Sequence, residues 1–177
     1  MKHVTIIATS LNADSKSQEL ARIFQKQLGG VSSDLVDLRE LDLPFAGTNE
    51  GWSSADTAKL KEAVERASHV VFAVPIYCYD VNAAAKNVIE LIGRSFTKKV
   101  VGFICSAGGD SSYMSVMGFA NHLMLDFRSV IAPRFVYANP QSWDSDGNLK
   151  EEIQQRVAEL VGDLSEIQVV AKPDKKY

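Results

Sequence analysis

Apolar residues along this chain fall into two kinds of run that alternate. Short unbroken runs, Val4 to Ala8, His69 to Val74 and Lys99 to Cys105, are rich in β-branched residues and predict strands buried on both faces. Ser33 to Leu38 predicts a further strand, nearer an edge because it carries two aspartates. Val130 to Tyr137 predicts a fifth, interrupted near Pro133. Between these runs the apolar positions recur at helical spacing. Leu20, Ile23, Phe24 and Leu28 form one stripe, and Gly29-Gly30 ends it as a left-handed cap. Leu60, Ala63, Val64 and Ala67 mark a second helix, and about Ala83 to Ile92 a third. Tyr113 to Phe127 predicts a fourth; Leu149, Ile153, Val157, Leu160, Val161 and Leu164 mark a fifth. Pro75 is expected to stop the third strand, and residues 42 to 55, with Pro and two Gly, to form a loop.

Strand and helix alternate five times, which implies a parallel sheet covered on both faces. The expected class is α/β: a three-layer α/β/α sandwich with a five-stranded parallel sheet, order 2-1-3-4-5, flavodoxin-like. A dinucleotide-binding Rossmann domain would want G-x-G-x-x-G after the first strand, and the chain has T-S-L-N-A-D-S there. The length, 177 residues, suits a single domain over 1 to 170 with a loose polar tail over 171 to 177. A net charge of -3 argues against a nucleic-acid partner. Cys78 and Cys105 have neither zinc nor redox-motif spacing, so a reducing cytoplasm is expected. The N-terminus does not read as a signal peptide, and no apolar run is long enough to cross a bilayer.

In such sheets ligands bind at the carboxyl ends of the strands, where the strand order reverses. The loop after the first strand carries Thr9, Ser10, Asn12, Ser15 and Ser17 and enters a helix. Unpaired N–H groups and a partial positive charge at a helix N-terminus favour a phosphate, and hydroxyls supply further donors. The alternative is that Ser15 or Ser17 only caps the helix; Asp14 is compatible with a phosphate only if it points to solvent. The third strand ends in P-I-Y-C-Y-D-V-N, where Tyr77 offers an aromatic body with a polar tip, or else plugs a Pro-terminated strand. The fourth ends in C-S-A-G-G-D-S-S-Y, where Gly108-Gly109 permit a close ligand approach or positive φ, or else form a flexible loop. All three segments fall where one ligand would touch the sheet.

With these segments the chain resembles the NAD(P)H-dependent FMN reductase family. Ser10, Ser15 and Ser17 fit that family's G-S-x-R-x-x-S-x-[TNS] loop, with Asn12 where arginine is usual. Pro75, Tyr77, Lys86, Asn87 and Ile89 fit its P-x-Y-x-x-S-x-P-G-x-L-K-N-x-I-D segment, with Asp80 for serine, Asn82-Ala83 for Pro-Gly and Glu90 for the acid. Ser106, Gly108 and Gly109 fit its S-x-G-G loop. The resemblance implies an FMN-binding oxidoreductase. Ser10, Asn12, Ser15 and Ser17 would hold the 5′-phosphate. Pro75, Ile76, Tyr77 and Cys78 would line one edge of the isoalloxazine; Ser106, Ala107, Gly108 and Gly109 would contact its other side and the ribityl chain. NADPH or NADH would be the co-substrate. The electron acceptor would be a small molecule: free flavin, a quinone, an azo compound or a metal oxyanion. The alternative is a non-catalytic FMN-binding electron carrier or redox-responsive interaction protein.

Hydride chemistry at a flavin needs no strong protein acid, so no catalytic side chain is expected. Cys78 is expected to be a buried, inert thiol, and the three histidines show no metal-ligand spacing. Ser142, Asp144, Asp146 and Gly147 mimic the start of a calcium loop, but the closing position falls on Ile153, so the segment reads as a turn and a helix cap. Residues 111 to 125 contain no Asp, Glu, Lys or Arg. Met114, Met117, Phe119, Leu123 and Met124 spread over too broad an arc for a solvent-facing helix, which predicts a homodimer or homotetramer through this segment.

Overall fold

The computed structural model describes residues 1–170; the tail expected at 171 to 177 lies outside them. In chain order the elements are β1 (Val4–Ala8), α1 (Lys16–Gln27), β2 (Ser33–Asp37), α2 (Ala55–Arg66), β3 (His69–Tyr77), β4 (Asp80–Val81), α3 (Ala83–Ile92), β5 (Val100–Ser106), α4 (Val116–Phe127), β6 (Val130–Ile131), β7 (Val136–Ala138) and α5 (Glu151–Glu166), with three short 3-10 turns between them. The sheet runs β2-β1-β3-β5-β6, with β7 continuing beside β5 and β4 folding back antiparallel on β3. Of its seven strand segments, six make the five-position parallel order 2-1-3-4-5, and β4 is the antiparallel exception. The fifth position is split because the ladder breaks after Ala132 and resumes at Val136, with Pro133, which has no N–H to give, between them.

Side chains alternate across each strand, as a period of two requires. Ile7, Phe72, Val74, Val101 and Phe103 face one core, which α2, α3 and α4 cover. Val4, Ile6, Ala8, Val71, Ala73 and Ile104 face the other, which α1 and α5 cover. Phe72 anchors the first core: it packs edge-on to Phe119 at 5.1 Å between centroids and tilted against Phe96 at 5.4 Å. Gly93 ends α3 where the chain passes so close to Phe127 that a Cβ would lie 2.1 Å from its ring. Phe119 and Leu123 belong to this core, while Met114, Met117, Met124 and Leu125 remain exposed. The fourth helix starts at Val116, and residues 111 to 115 form turns. Leu149 precedes the fifth helix and bridges to Trp143 instead.

Pro75 does not stop β3, which continues to Tyr77. The reason lies in which neighbour Pro75 faces. The N–H of Thr9 donates to the carbonyl of Ala73 at 3.0 Å. One step further along this parallel ladder, the N–H of residue 75 would serve the carbonyl of Thr9. Proline has no N–H, so β1 ends there. On its other edge β3 stays paired with β5 as far as Pro75↔Ser106, and its last two residues pair with β4. The Thr9 carbonyl is taken by the side-chain amide of Asn82 at 2.6 Å, and the Thr9 hydroxyl donates to the Asn82 Oδ1 at 2.7 Å.

Candidate functional site

The register Ala8↔Ala73↔Ile104 brings the carboxyl ends of β1, β3 and β5 to one rim of the sheet. The three segments singled out in the sequence all sit on that rim. Residues 9 to 15 connect β1 to α1. Ser15 is the N-cap of α1: its Oγ accepts from the N–H of Gln18 at 3.2 Å and lies 3.0 Å from the Ser17 Oγ. The Oγ of Ser10 accepts from the N–H of Asn12, and the Asn12 Oδ1 from the N–H of Asp14. Ser10 and Ser17 are buried, while Asn12 and Asp14 are exposed. Among the described residues, no protein acceptor engages the backbone N–H of Leu11, Ala13, Lys16 or Ser17. Capping therefore uses one hydroxyl and leaves a set of unpaired donors at a helix N-terminus.

Asn82 sits at the N-cap of α3, yet makes no side-chain cap bond there. Its amide is turned to Thr9 instead. This buried pair ties the end of β1 to the start of α3, across the middle of the rim. Between β3 and β4 the chain reverses through Cys78 and Tyr79, with φ of 52° and 62°. Two successive left-handed residues make a tight hairpin turn that usually carries Asn-Gly. Here it presents an exposed Tyr77 and Tyr79, and the thiol of Cys78 is exposed as well, contrary to the buried, inert cysteine expected from sequence. A two-residue turn has no interior in which to hide it. Pro75 and Ile76, by contrast, are buried in the strand below. Burial pushes the other thiol, Cys105, far above the ordinary range.

Ser106 and Ala107 continue from β5, with the Ala107 N–H bonded to the Ala138 carbonyl at 2.9 Å. Gly108 and Gly109 are exposed, neither has positive φ, and a Cβ on either would meet nothing within 4 Å. Neither backbone conformation nor packing within the chain requires glycine there, so the space above them is open to a ligand. Tyr137 holds the loop by donating to the Gly109 carbonyl, and its oxygen lies 2.8 Å from the Ser112 Oγ. The Tyr79 hydroxyl is 3.2 Å from the Ser111 Oγ and links the hairpin tip to this loop. No hydrogen bond among the described residues joins the first loop directly to residues 106 to 109; Asn82 joins the first loop to the segment between, and Tyr79 joins that segment to Ser111.

The donors fit a phosphate: unpaired N–H groups and hydroxyls, with the one carboxylate of the loop, Asp14, exposed. Beside them lie the aromatic surfaces of Tyr77, Tyr79 and Tyr113 that a flat ring system can use. Ala13, Asp14, Ser15 and Arg39 line a concavity of about 870 Å3 beside the first loop. A concavity of about 1040 Å3 lies elsewhere, between α2, α3 and α4. Sequence reasoning missed Arg39, which reaches the first loop from the turn after β2. It also missed Tyr137, a strand residue with a distant partner. Asp144 accepts from the N–H groups of Asp146 and Asn148, which confirms the turn there. Among the described residues no cluster of His, Cys, Asp or Glu could hold a metal, and no helix is long and apolar enough to cross a membrane.

The sequence pattern of the NADPH-dependent FMN reductase family matches residues 1–144. An NAD(P)H-dependent FAD/FMN reductase of Geobacillus thermodenitrificans (strain NG80-2) is 28% identical over 137 residues, covering 76% of this chain and 74% of its own. Among solved structures, an apo NADH:FMN oxidoreductase superposes with a TM-score of 0.78 at 14% identity, over 98% of this chain and 92% of its own. The flavoenzyme NAD(P)H:(acceptor) oxidoreductase FerB of Paracoccus denitrificans does so with a TM-score of 0.74 at 21% identity, over 96% and 100%. At these identities the two structures speak to the fold.

Proposed function

The chain belongs to the NADPH-dependent FMN reductase family, and from that premise we propose that it seats FMN on the rim of β1, β3 and β5 and passes electrons from NADPH or NADH to a small-molecule acceptor. The observation that carries this reading is the first loop: unpaired N–H groups and the Ser10, Ser15 and Ser17 hydroxyls beside an aromatic rim at the topological switch point. When bound, FMN supplies the hydride-accepting chemistry. The chain's own residues bind and orient. Ser10, Asn12, Ser15 and Ser17 take the phosphate end. Pro75 to Cys78 set one edge of the ring by their backbone, with β3 fixing them between Thr9–Asn82 on one side and β5 on the other. Ser106, Ala107, Gly108 and Gly109 face the remaining side. Tyr79 closes the span between the last two segments. The rim leaves room for a nicotinamide and then a free flavin, quinone, azo compound or metal oxyanion in turn. Two free cysteines, one of them exposed, suit a reducing cytoplasm.

Titration of FMN into the protein tests this. The expected result is saturable quenching of flavin fluorescence, weakened about tenfold in Ser10→Ala or Ser15→Ala by loss of a phosphate hydrogen bond, and bleaching of the bound flavin by NADPH or NADH. Absence of binding at tens of micromolar, roughly -6 kcal/mol, would overturn the reading. Binding without bleaching would leave an electron carrier. The exposed Met114, Met117, Met124 and Leu125 support a homodimer or homotetramer through residues 111 to 125. A gel-filtration mass at the monomer value at micromolar concentration would remove that part.

A further inference from the structure

We propose that Arg39 is a positioning residue of the phosphate loop, one that turns the loop's carbonyls outward and so leaves its N–H groups facing the ligand. The proposal rests on the phosphate reading given above. Arg39 lies beyond the end of β2, 26 residues from Ala13. Its Nη1 donates to the carbonyls of Asn12 at 3.3 Å and Ala13 at 3.1 Å. The guanidinium is itself held. Nε donates to both Asp37 oxygens at 3.0 and 3.1 Å, and Nη2 donates to Oδ2 at 2.6 Å. Asp37 is buried, and the Gln18 amide in the first turn of α1 donates to it as well. One carboxylate thus fixes the guanidinium relative to α1, and the guanidinium fixes the loop. Burial alone would raise the Asp37 pKa. The bonds from Arg39 and Gln18 outweigh it and hold the carboxyl below its ordinary value.

The geometry follows from the planarity of the peptide. In a trans peptide the C=O of one residue and the N–H of the next point in opposite directions. Holding the Asn12 carbonyl against the guanidinium therefore aims the Ala13 N–H to the other side, and that N–H is one of the unpaired donors of the loop. The Arg39–Asp37 pair has no net charge, and in the first turn of α1 Lys16 is paired with Glu19 at 2.9 Å. The contribution of Arg39 is consequently one of shape more than of charge. A lysine, a point charge without a planar fork, lacks the fixed in-plane donors by which the guanidinium joins the carboxylate to the two carbonyls in one orientation.

The test compares FMN with riboflavin, which has the same ring and ribityl chain but no phosphate. Wild type, Arg39→Ala, Arg39→Lys and Asp37→Asn are titrated with both, and thermal unfolding checks each fold. The expected wild type prefers FMN. Arg39→Ala loses about tenfold of that preference, the scale of a charge-assisted bond, while riboflavin affinity holds. Arg39→Lys loses most of it too, and Asp37→Asn part of it. Equal loss for both flavins would reduce Arg39 to a support of the fold and overturn the proposal. Full retention of the preference in Arg39→Lys would make its role one of charge and would also overturn it. Full retention in Arg39→Ala would sink the role of Arg39 alone. A wild type with no preference for FMN would instead sink the phosphate reading on which the proposal stands.

Discussion

The two ends of this sheet carry similar polar residues and use them in opposite ways. At the amino end, His3 bonds Ser32 and Asp34, Asp34 also pairs with Arg66 at 2.7 Å, and Ser68 bonds the His3 carbonyl and the His69 ring. His69 reaches the Ile167 carbonyl at 3.0 Å, and Lys99 reaches the carbonyls of Glu65 and Ala67. Polar groups there answer one another. At the carboxyl end Thr9 with Asn82 and Tyr137 with Gly109 and Ser112 are closed, but the first loop keeps backbone donors unanswered among the described residues. The lesson is that a polar residue count does not find a site. What marks it is the donors left over once the chain has satisfied itself.

The comparison can be broken first at its most rigid point. Asn82→Ala leaves the buried Thr9 carbonyl without its donor and the Thr9 hydroxyl with only the Ala73 carbonyl at 3.4 Å, and should cost about 1–3 kcal/mol. Urea unfolding measures this, and a loss below about 0.5 kcal/mol would show that the pair does not hold the rim. A smaller effect is expected at the opposite end. Burial lowers the His69 pKa below its ordinary 6.5, with the Ile167 carbonyl acting weakly the other way. A depressed folded-state pKa means that the unfolded chain binds the proton more readily. Stability should therefore be intact above pH 6.5 and decline as pH falls from there through the folded value, and His69→Gln should flatten that decline. Unchanged pH dependence in His69→Gln would assign acid sensitivity to the carboxylates instead. Flavin affinity should not follow His69 at all, since the ring sits at the far end of the sheet.

Much of the fold was legible because a buried parallel strand needs both faces apolar and a covering helix needs only one. The third helix was read as about Ala83 to Ile92 and occupies Ala83–Ile92. The strand order followed from the alternation together with the lack of G-x-G-x-x-G after the first strand, which set aside the Rossmann alternative. Pro75 misled because sequence does not say which edge of a strand is still paired when a proline arrives. Cys78 misled because a two-residue reversal needs backbone geometry that Cys-Tyr does not advertise. At the site, the local parts were visible: Ser10, Ser15 and Ser17 lie within six residues of the helix start at Lys16. Arg39, Asn82 and Tyr137 were not, since each acts on a loop that is distant in sequence and close only after the sheet has formed.

The reversal at Cys78-Tyr79 also bears on how far this protein can be made heat resistant. Left-handed backbone costs an ordinary L-residue on the order of 1–3 kcal/mol. Asn-Gly would make the same turn with less strain, so a more durable chain lies two substitutions away. Those substitutions would strip the rim of a thiol and of the phenol that reaches Ser111. Durability and a furnished rim therefore compete for the same two positions.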